Sequence, residues 1–276
     1  MSSDCAISVL HDVLRVYDHR FLDMDDEQRG RLLQGTRQVL GEGLSDAARA
    51  SLPLAYRLRA FCIVHGLDDE LERLIRDEVE GVKAGAVVVG GRVYALHPYL
   101  RGVPRQDADI TGEVGVEHRL DAVSWHGKKL RVRGHACIER IEARETKVEV
   151  LLRERRTGVE HRFPADPCED GGFEVQADPG ASAVGPGRWD VHVSASALGV
   201  TRTARFGTIR GDKIKTEPQR RGLDSTTTAK IYFTKGGHLA VLIRTGKKHP
   251  RLRAALRRIT PRVLARVIDK HRPSLR

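Results

Sequence analysis

From Val116 to Ile209 the chain meets a turn signal about every ten residues, and between turns it alternates apolar with polar side chains. The runs are "VEHRLDAVSW", "KLRVRGHACIERI", "TKVEVLLRER", "VEHRFPA", "GFEVQAD", "RWDVHVSA" and "VTRTARFGTI", and among the turns are "HGK", "RTG", "EDGG", "GPG" and "ALG". Alternation puts successive side chains on opposite faces of a strand. In the second run Leu130, Val132, Gly134 and Ala136 share one face, and Arg131, Arg133 and His135 the other. Seven short strands with no helical period between them predict an antiparallel immunoglobulin-like β-sandwich. With a terminal hairpin, "TTAKIYFTKGGHLAVLIR", turning at Gly236–Gly237, the sandwich extends over residues 116–244. Trp189 alternates with Val191 and Val193, which places it in the sandwich core.

The flanking segments obey other rules. Residues 1–84 form an N-terminal helical linker domain: Ile7, Leu10, Leu14 and Tyr17 recur at helical spacing, as do Leu71, Leu74, Ile75 and Val79. Ser45 is placed to cap one helix and Gly66 to stop it, while Pro53 starts or kinks a helix rather than sitting inside one. In the last helix the acids come early and Lys83 late, as the helix dipole favours. Residues 85–115 hold a hairpin, "AVVVGGRVYAL", and a connecting loop without periodicity. Residues 245–276 predict a basic amphipathic helical tail, with Leu252, Leu256, Ile259, Val263 and Val267 along one stripe. The fold class is therefore α+β.

Charge is as unevenly distributed as secondary structure. Residues 244–276 hold 12 of the 48 basic residues and one of the 37 acids, so the remaining 36 and 36 cancel and the whole excess of +11 lies in the tail. That argues for a basic tail with its own partner rather than a nucleic-acid-binding body. A basic amphipathic helix lies naturally at an anionic leaflet, each basic residue near the surface contributing ~1 kcal/mol. Lys247, Lys248, Arg251, Arg253, Arg257, Arg258, Arg262 and Arg266 are the candidate membrane-surface residues. Docking of the tail on the protein's own body is an equal alternative. Nucleic acid is disfavoured because no recognition motif or aromatic platform accompanies the charges.

No apolar run approaches the ~20 residues that cross a bilayer, and the N-terminus shows no secretory pattern. Cys5, Cys62, Cys137 and Cys168 lie far apart without metal-type or disulfide-type spacing, which suits reduced thiols in a cytoplasm. The histidines show no HxxxH or HExxH spacing, so neither metal nor other cofactor is expected. A phosphate-loop reading of "GGHLAVLIRTGKK" fails because Val241 replaces the first glycine and Lys248 the Ser/Thr.

Two Asp-x-Asp pairs invite a metal-dependent reading. Asp23 and Asp25 precede "EQRGRLLQGTRQVL", whose period is helical, and no buried-strand pattern leads into them. An acidic helix start is the preferred reading. Asp107 and Asp109 follow Pro104 and read as a solvated loop. Trp125, at a turn with Lys128 and Lys129, either caps the core edge, the preferred reading, or contacts a polymer or partner.

The stretch "LPLAYRLRAFCIVHGLDDELERLI" (52–75) resembles the helical segment after the catalytic domain in family 2 glycosyltransferases of the wall teichoic acid type, the TarS/TarP group of poly(ribitol-phosphate) sugar transferases. "LDAVSWHGKKLRVRGHACIERI" (120–141) and "GRWDVHVSA" (187–195) are similar to β-domains attached to actinobacterial cell-wall polymer transferases, and 37 arginines against 11 lysines suit a GC-rich genome. The resemblance covers roughly residues 45–210. It implies linker helices followed by a sandwich, with roles in oligomer assembly and in placing the enzyme near its polymer. Family members carry a nucleotide-binding catalytic domain before this region, and only 22 residues precede Asp23. No family catalytic residue can be carried over.

These readings together predict a non-catalytic accessory module of a cell-wall polymer glycosyltransferase, cytoplasmic and held at the inner membrane face. Its expected partners are a second copy or a catalytic subunit, an anionic membrane surface and a cell-wall polymer. The alternative is a small metal-dependent nucleotide-sugar transferase using Asp23 and Asp25.

Overall fold

A computed structural model describes residues 3–180 and 184–246. The chain begins with helices α1 (Ser3–Arg15), α2 (His19–Leu22), α3 (Asp26–Leu40), α4 (Asp46–Ser51), α5 (Leu54–His65) and α6 (Asp68–Val79). Their ends follow local chemistry. The Ser45 hydroxyl accepts from the Ala48 N–H at the start of α4, and Gly66 ends α5 in the left-handed region at φ 66°. Pro53, which cannot donate inside a helix, separates α4 from α5. Leu14, Tyr17, Leu71 and Ile75 are fully buried. Two expectations for α6 are corrected. Val79 is exposed, and Lys83 lies beyond the helix, where it meets the Glu139 carboxylate at 2.8 Å instead of the helix end.

Next come β1 (Gly85–Val89) and β2 (Arg92–Leu96), a two-stranded antiparallel hairpin in which Val89 pairs with Arg92. Gly90 and Gly91 form its turn at φ 58° and 74°, the left-handed pair that fits strand twist. A one-turn helix, α7 (Arg105–Ala108), follows in the connecting segment.

The remaining strands are β3 (Val116–His126), β4 (Lys129–Ile138), β5 (Lys147–Glu154), β6 (Glu160–Pro164), β7 (Asp166–Pro167), β8 (Phe173–Ala177), β9 (Gly187–Ala197), β10 (Val200–Arg205), β11 (Gln219–Gly222), β12 (Thr227–Phe233) and β13 (Leu239–Thr245). They form two antiparallel sheets. One has the order β3-β4-β8-β7; the other runs β11-β12-β13-β9-β5-β6, with β10 also paired to β9. Leu130, Val132 and Val175 of the first sheet and Val150, Val191, Val193 and Val241 of the second meet in one apolar core, which also takes Trp189 and Phe206.

A second core joins the helices to one end of the sandwich. Leu58, Ile63 and Ile75 of the helices share it with Val93 of the hairpin, Ile110 and Val114 of the connecting segment, and Ile138, Ala195, Ala197 and Val200 of the sheets. The tail residues named above, Lys247 to Arg266, and the predicted tail helix lie outside the described residues. Among those described, no helix is long and apolar enough to cross a membrane.

Candidate functional site: a polar cleft where helices meet the sandwich

The connecting segment 105–114 is gripped from both sides by arginines. Pro53 stands at the N-cap position of α5 without a side-chain cap bond, so the first N–H groups of the helix need an outside acceptor. Glu113 supplies it: its two carboxylate oxygens accept from Leu54 N–H at 3.1 and 3.0 Å. One turn on, Arg57 donates to the same carboxylate at 2.5 Å, and to the carbonyls of Asp109 at 2.8 Å and Gln106 at 3.4 Å. Arg49 of α4 donates to Asp107 at 2.8 Å and to Asp46 at 3.2 Å. From the sandwich side, Arg202 donates to the carbonyls of Val114 and Thr111.

Asp107 is only 5 % exposed, so the solvated-loop reading of "DADI" is corrected. A carboxylate can be buried when a charged, hydrogen-bonded partner comes with it. Asp109 is held too, by the Thr111 N–H and the Arg92 guanidinium, each at 2.8 Å. Burial pushes its carboxyl up, but the hydrogen bonds from Thr111 and Arg92 outweigh this and hold it below the usual range.

Arg49, Arg57, Arg92, Asp109 and Glu113 are among the residues that line a cleft of about 1040 Å³ between α4, the start of α5, the β1–β2 turn and the segment 105–114. Its charged lining balances: Arg49, Arg57 and Arg92 against Asp46, Asp109 and Glu113. Exposed Pro53 adds an apolar surface, while Gly90, Gly91 and Gly112 leave stretches of wall without side chains. The arrangement offers many hydrogen bonds and no strongly nucleophilic group.

The cleft gathers residues from 46 to 113, and sequence reading found it only through Asp109, which it had placed in solvent. The other candidates lie elsewhere. Asp25 caps α3, accepting from Gln28 N–H at 2.8 Å in a reciprocal capping box, and Asp23 is the C-cap of α2. The helix-start reading therefore describes Asp25 but not Asp23, which ends the preceding helix, and no strand presents either carboxylate. Among the described residues no group of three or more His, Cys, Asp or Glu side chains is placed to hold a metal. Trp125 packs against the sandwich core and donates its indole N–H to Gln219 O at 3.3 Å, while Lys128 and Lys129 are exposed beside it.

Comparison with known proteins finds similar chains. Residues 109–241 match the family described as TarS beta-glycosyltransferase C-terminal domain 1. The crystal structure of S. aureus TarS 217-571 has the same fold: the TM-score is 0.54 at 12 % identity, over 90 % of this chain and 72 % of that one. A longer S. aureus TarS crystal structure gives a TM-score of 0.45 at 13 % identity, over 82 % of this chain and 41 % of that one. No curated protein matches the sequence.

Proposed function

We propose, from the match of residues 109–241 to the TarS C-terminal domain family, that the chain is a non-catalytic accessory module of a family 2, teichoic-acid-type glycosyltransferase. In this reading the two-sheet sandwich is immunoglobulin-like and serves oligomer assembly and placement of the polymer. The helices carry the attachment to a catalytic subunit. The tail holds the assembly at the cytoplasmic face of the membrane through Lys247, Lys248, Arg251, Arg253, Arg257, Arg258, Arg262 and Arg266. The exposed edge around Trp125, Lys128 and Lys129 is the proposed polymer or partner contact. The family match carries this reading; the use of the Asp25 carboxylate in helix capping supports it against the transferase alternative.

Flotation on vesicles containing anionic lipid tests the membrane role. Binding of the full chain that is lost without residues 245–276 is expected. Equal flotation of both forms contradicts it. Co-elution of the full chain with a teichoic-acid-type catalytic domain on size exclusion tests attachment, and independent elution of the two contradicts it.

A further inference from the structure

We propose that the free edge of the β1–β2 hairpin pairs with the same edge of a second copy of the chain. Two hairpins then join in one four-stranded antiparallel sheet about a two-fold axis at Val87. This contact is separate from assembly through the sandwich and does not rest on it.

Strand β1 is hydrogen-bonded to β2 alone. On β2, Val93 donates its N–H to the Thr111 hydroxyl and accepts the Ile110 N–H at its carbonyl, each at 2.8 Å, so its backbone groups point away from β1. Val88 lies opposite Val93, and Ala86 two residues further along. In an antiparallel pair such residues turn their own N–H and C=O groups off the other side. Among the described residues these four groups have no backbone partner. The Ala86 and Val88 side chains pack toward the helical core, so the edge carries backbone groups alone.

That edge is also unguarded. Open sheet edges are commonly blunted by charge, proline or a bulge. The sandwich follows this rule: edge strand β11 carries Arg220 and Arg221, and edge strand β6 carries Glu160, Arg162 and Pro164. Strand β1, "GAVVV", has none of these. Its outward face is apolar as well, with Val87 39 % and Val89 50 % exposed and Leu96 of β2 49 % exposed.

Register identifies the occupant. Two β1 strands running antiparallel, Val87 opposite Val87, set Ala86 of each against Val88 of the other, and the free N–H and C=O groups meet in four hydrogen bonds. Val87 pairs with Tyr94 inside the hairpin, so the central row of the joined sheet reads Tyr94, Val87, Val87, Tyr94 on one face, an apolar ladder. Gly85 falls opposite the partner's Val89 and, lacking a side chain, leaves it room. No like charges oppose one another, because β1 carries none. A contact of this self-complementary kind closes at two copies. One strand pair is well below the standard interface of about 1,600 Å², so a dissociation constant on the order of 100 µM is expected.

Sedimentation velocity of the full chain from about 10 µM to about 1 mM brackets that constant. A monomer–dimer equilibrium is expected. Val87→Lys, at an exposed position, should weaken it roughly tenfold or more by setting like charges face to face, and an equimolar mixture of Val87→Lys and Val87→Glu should restore it. Cross-linking reads the register. With the exposed native thiols removed by Cys5→Ser and Cys137→Ser, Val87→Cys should form a disulfide between copies on mild oxidation, since facing Cα atoms of such a pair lie about 4.5 Å apart. Val89→Cys should not, because the two positions stand about 13 Å apart along the strands. A chain monomeric throughout this range would overturn the proposal. So would failure of the charge-swapped mixture to restore the dimer, or equal cross-linking at the two positions. Self-association unchanged by Val87→Lys would overturn it too, while leaving assembly through the sandwich in place.

Discussion

Arg49 Nε lies 2.8 Å from a carboxylate oxygen of Asp107, joining residues 58 positions apart at a site where Asp107 is 5 % exposed. Removing one partner of such a pair leaves the other buried and uncompensated. Arg49→Ala is expected to destabilise the protein by about 3 kcal/mol, read from urea unfolding, whereas Arg49→Ala with Asp107→Ala should recover part of the loss. Additive losses would mean that the contact contributes nothing.

Gly134 permits the closest approach in the sandwich. A Cβ there would stand 2.3 Å from the Arg119 carbonyl oxygen and 3.0 Å from the Phe206 ring, beside the irregularity where β3 shifts register between Leu120 and Ala122. Backbone cannot yield as a flexible side chain does. Gly134→Ala should therefore cost about 2–3 kcal/mol and lower the thermal midpoint, while Gly112→Ala, whose Cβ meets nothing, should be nearly neutral.

Asp25→Ala removes a capping box at α3, and stability should fall by about 0.5–2 kcal/mol. Calorimetry with manganese and a nucleotide sugar should show no specific binding by the wild-type chain. Specific binding abolished by Asp25→Ala would restore the transferase reading.

Acid should weaken the fold before the carboxylates titrate. Burial pulls the His192 pKa down, Arg153 and Arg205 add to this, and Asp190 and Glu160 oppose it; burial likewise depresses His97 and His118. A histidine depressed in the folded state contributes stability that is complete above its unfolded pKa of about 6.5 and is lost as pH falls through the folded value. Denaturant midpoints should decline from pH 7 to pH 5. His192→Gln, which removes the titrating ring, should flatten that decline, and an unchanged slope would contradict the assignment.

Much of this fold can be read directly from side-chain periods. Leu130 and Val132 are buried and Arg131 is exposed because a strand with one core face alternates, and Gly90–Gly91 marks the hairpin because few other residues tolerate that turn. Ser45, Gly66 and Asp25 act at helix ends through groups only a few residues away. Other features have no local signal. The strand β11, "QRRG", contains no apolar residue and exists because β12 supplies its hydrogen bonds. Asp107 reads as solvated until Arg49 is set beside it, and the cleft forms only when α4, α5 and the hairpin pack together. Charged pairs closed over fifty or more residues leave no periodicity to detect.

Assembly is the property on which the proposed function most directly rests. Sedimentation velocity of the full chain across micromolar concentrations, alone and mixed with a teichoic-acid-type catalytic domain, measures it. A discrete self-associated species that takes up the catalytic domain is the predicted result. A sedimentation coefficient fixed at that of the monomer, unchanged by the catalytic domain, would contradict it.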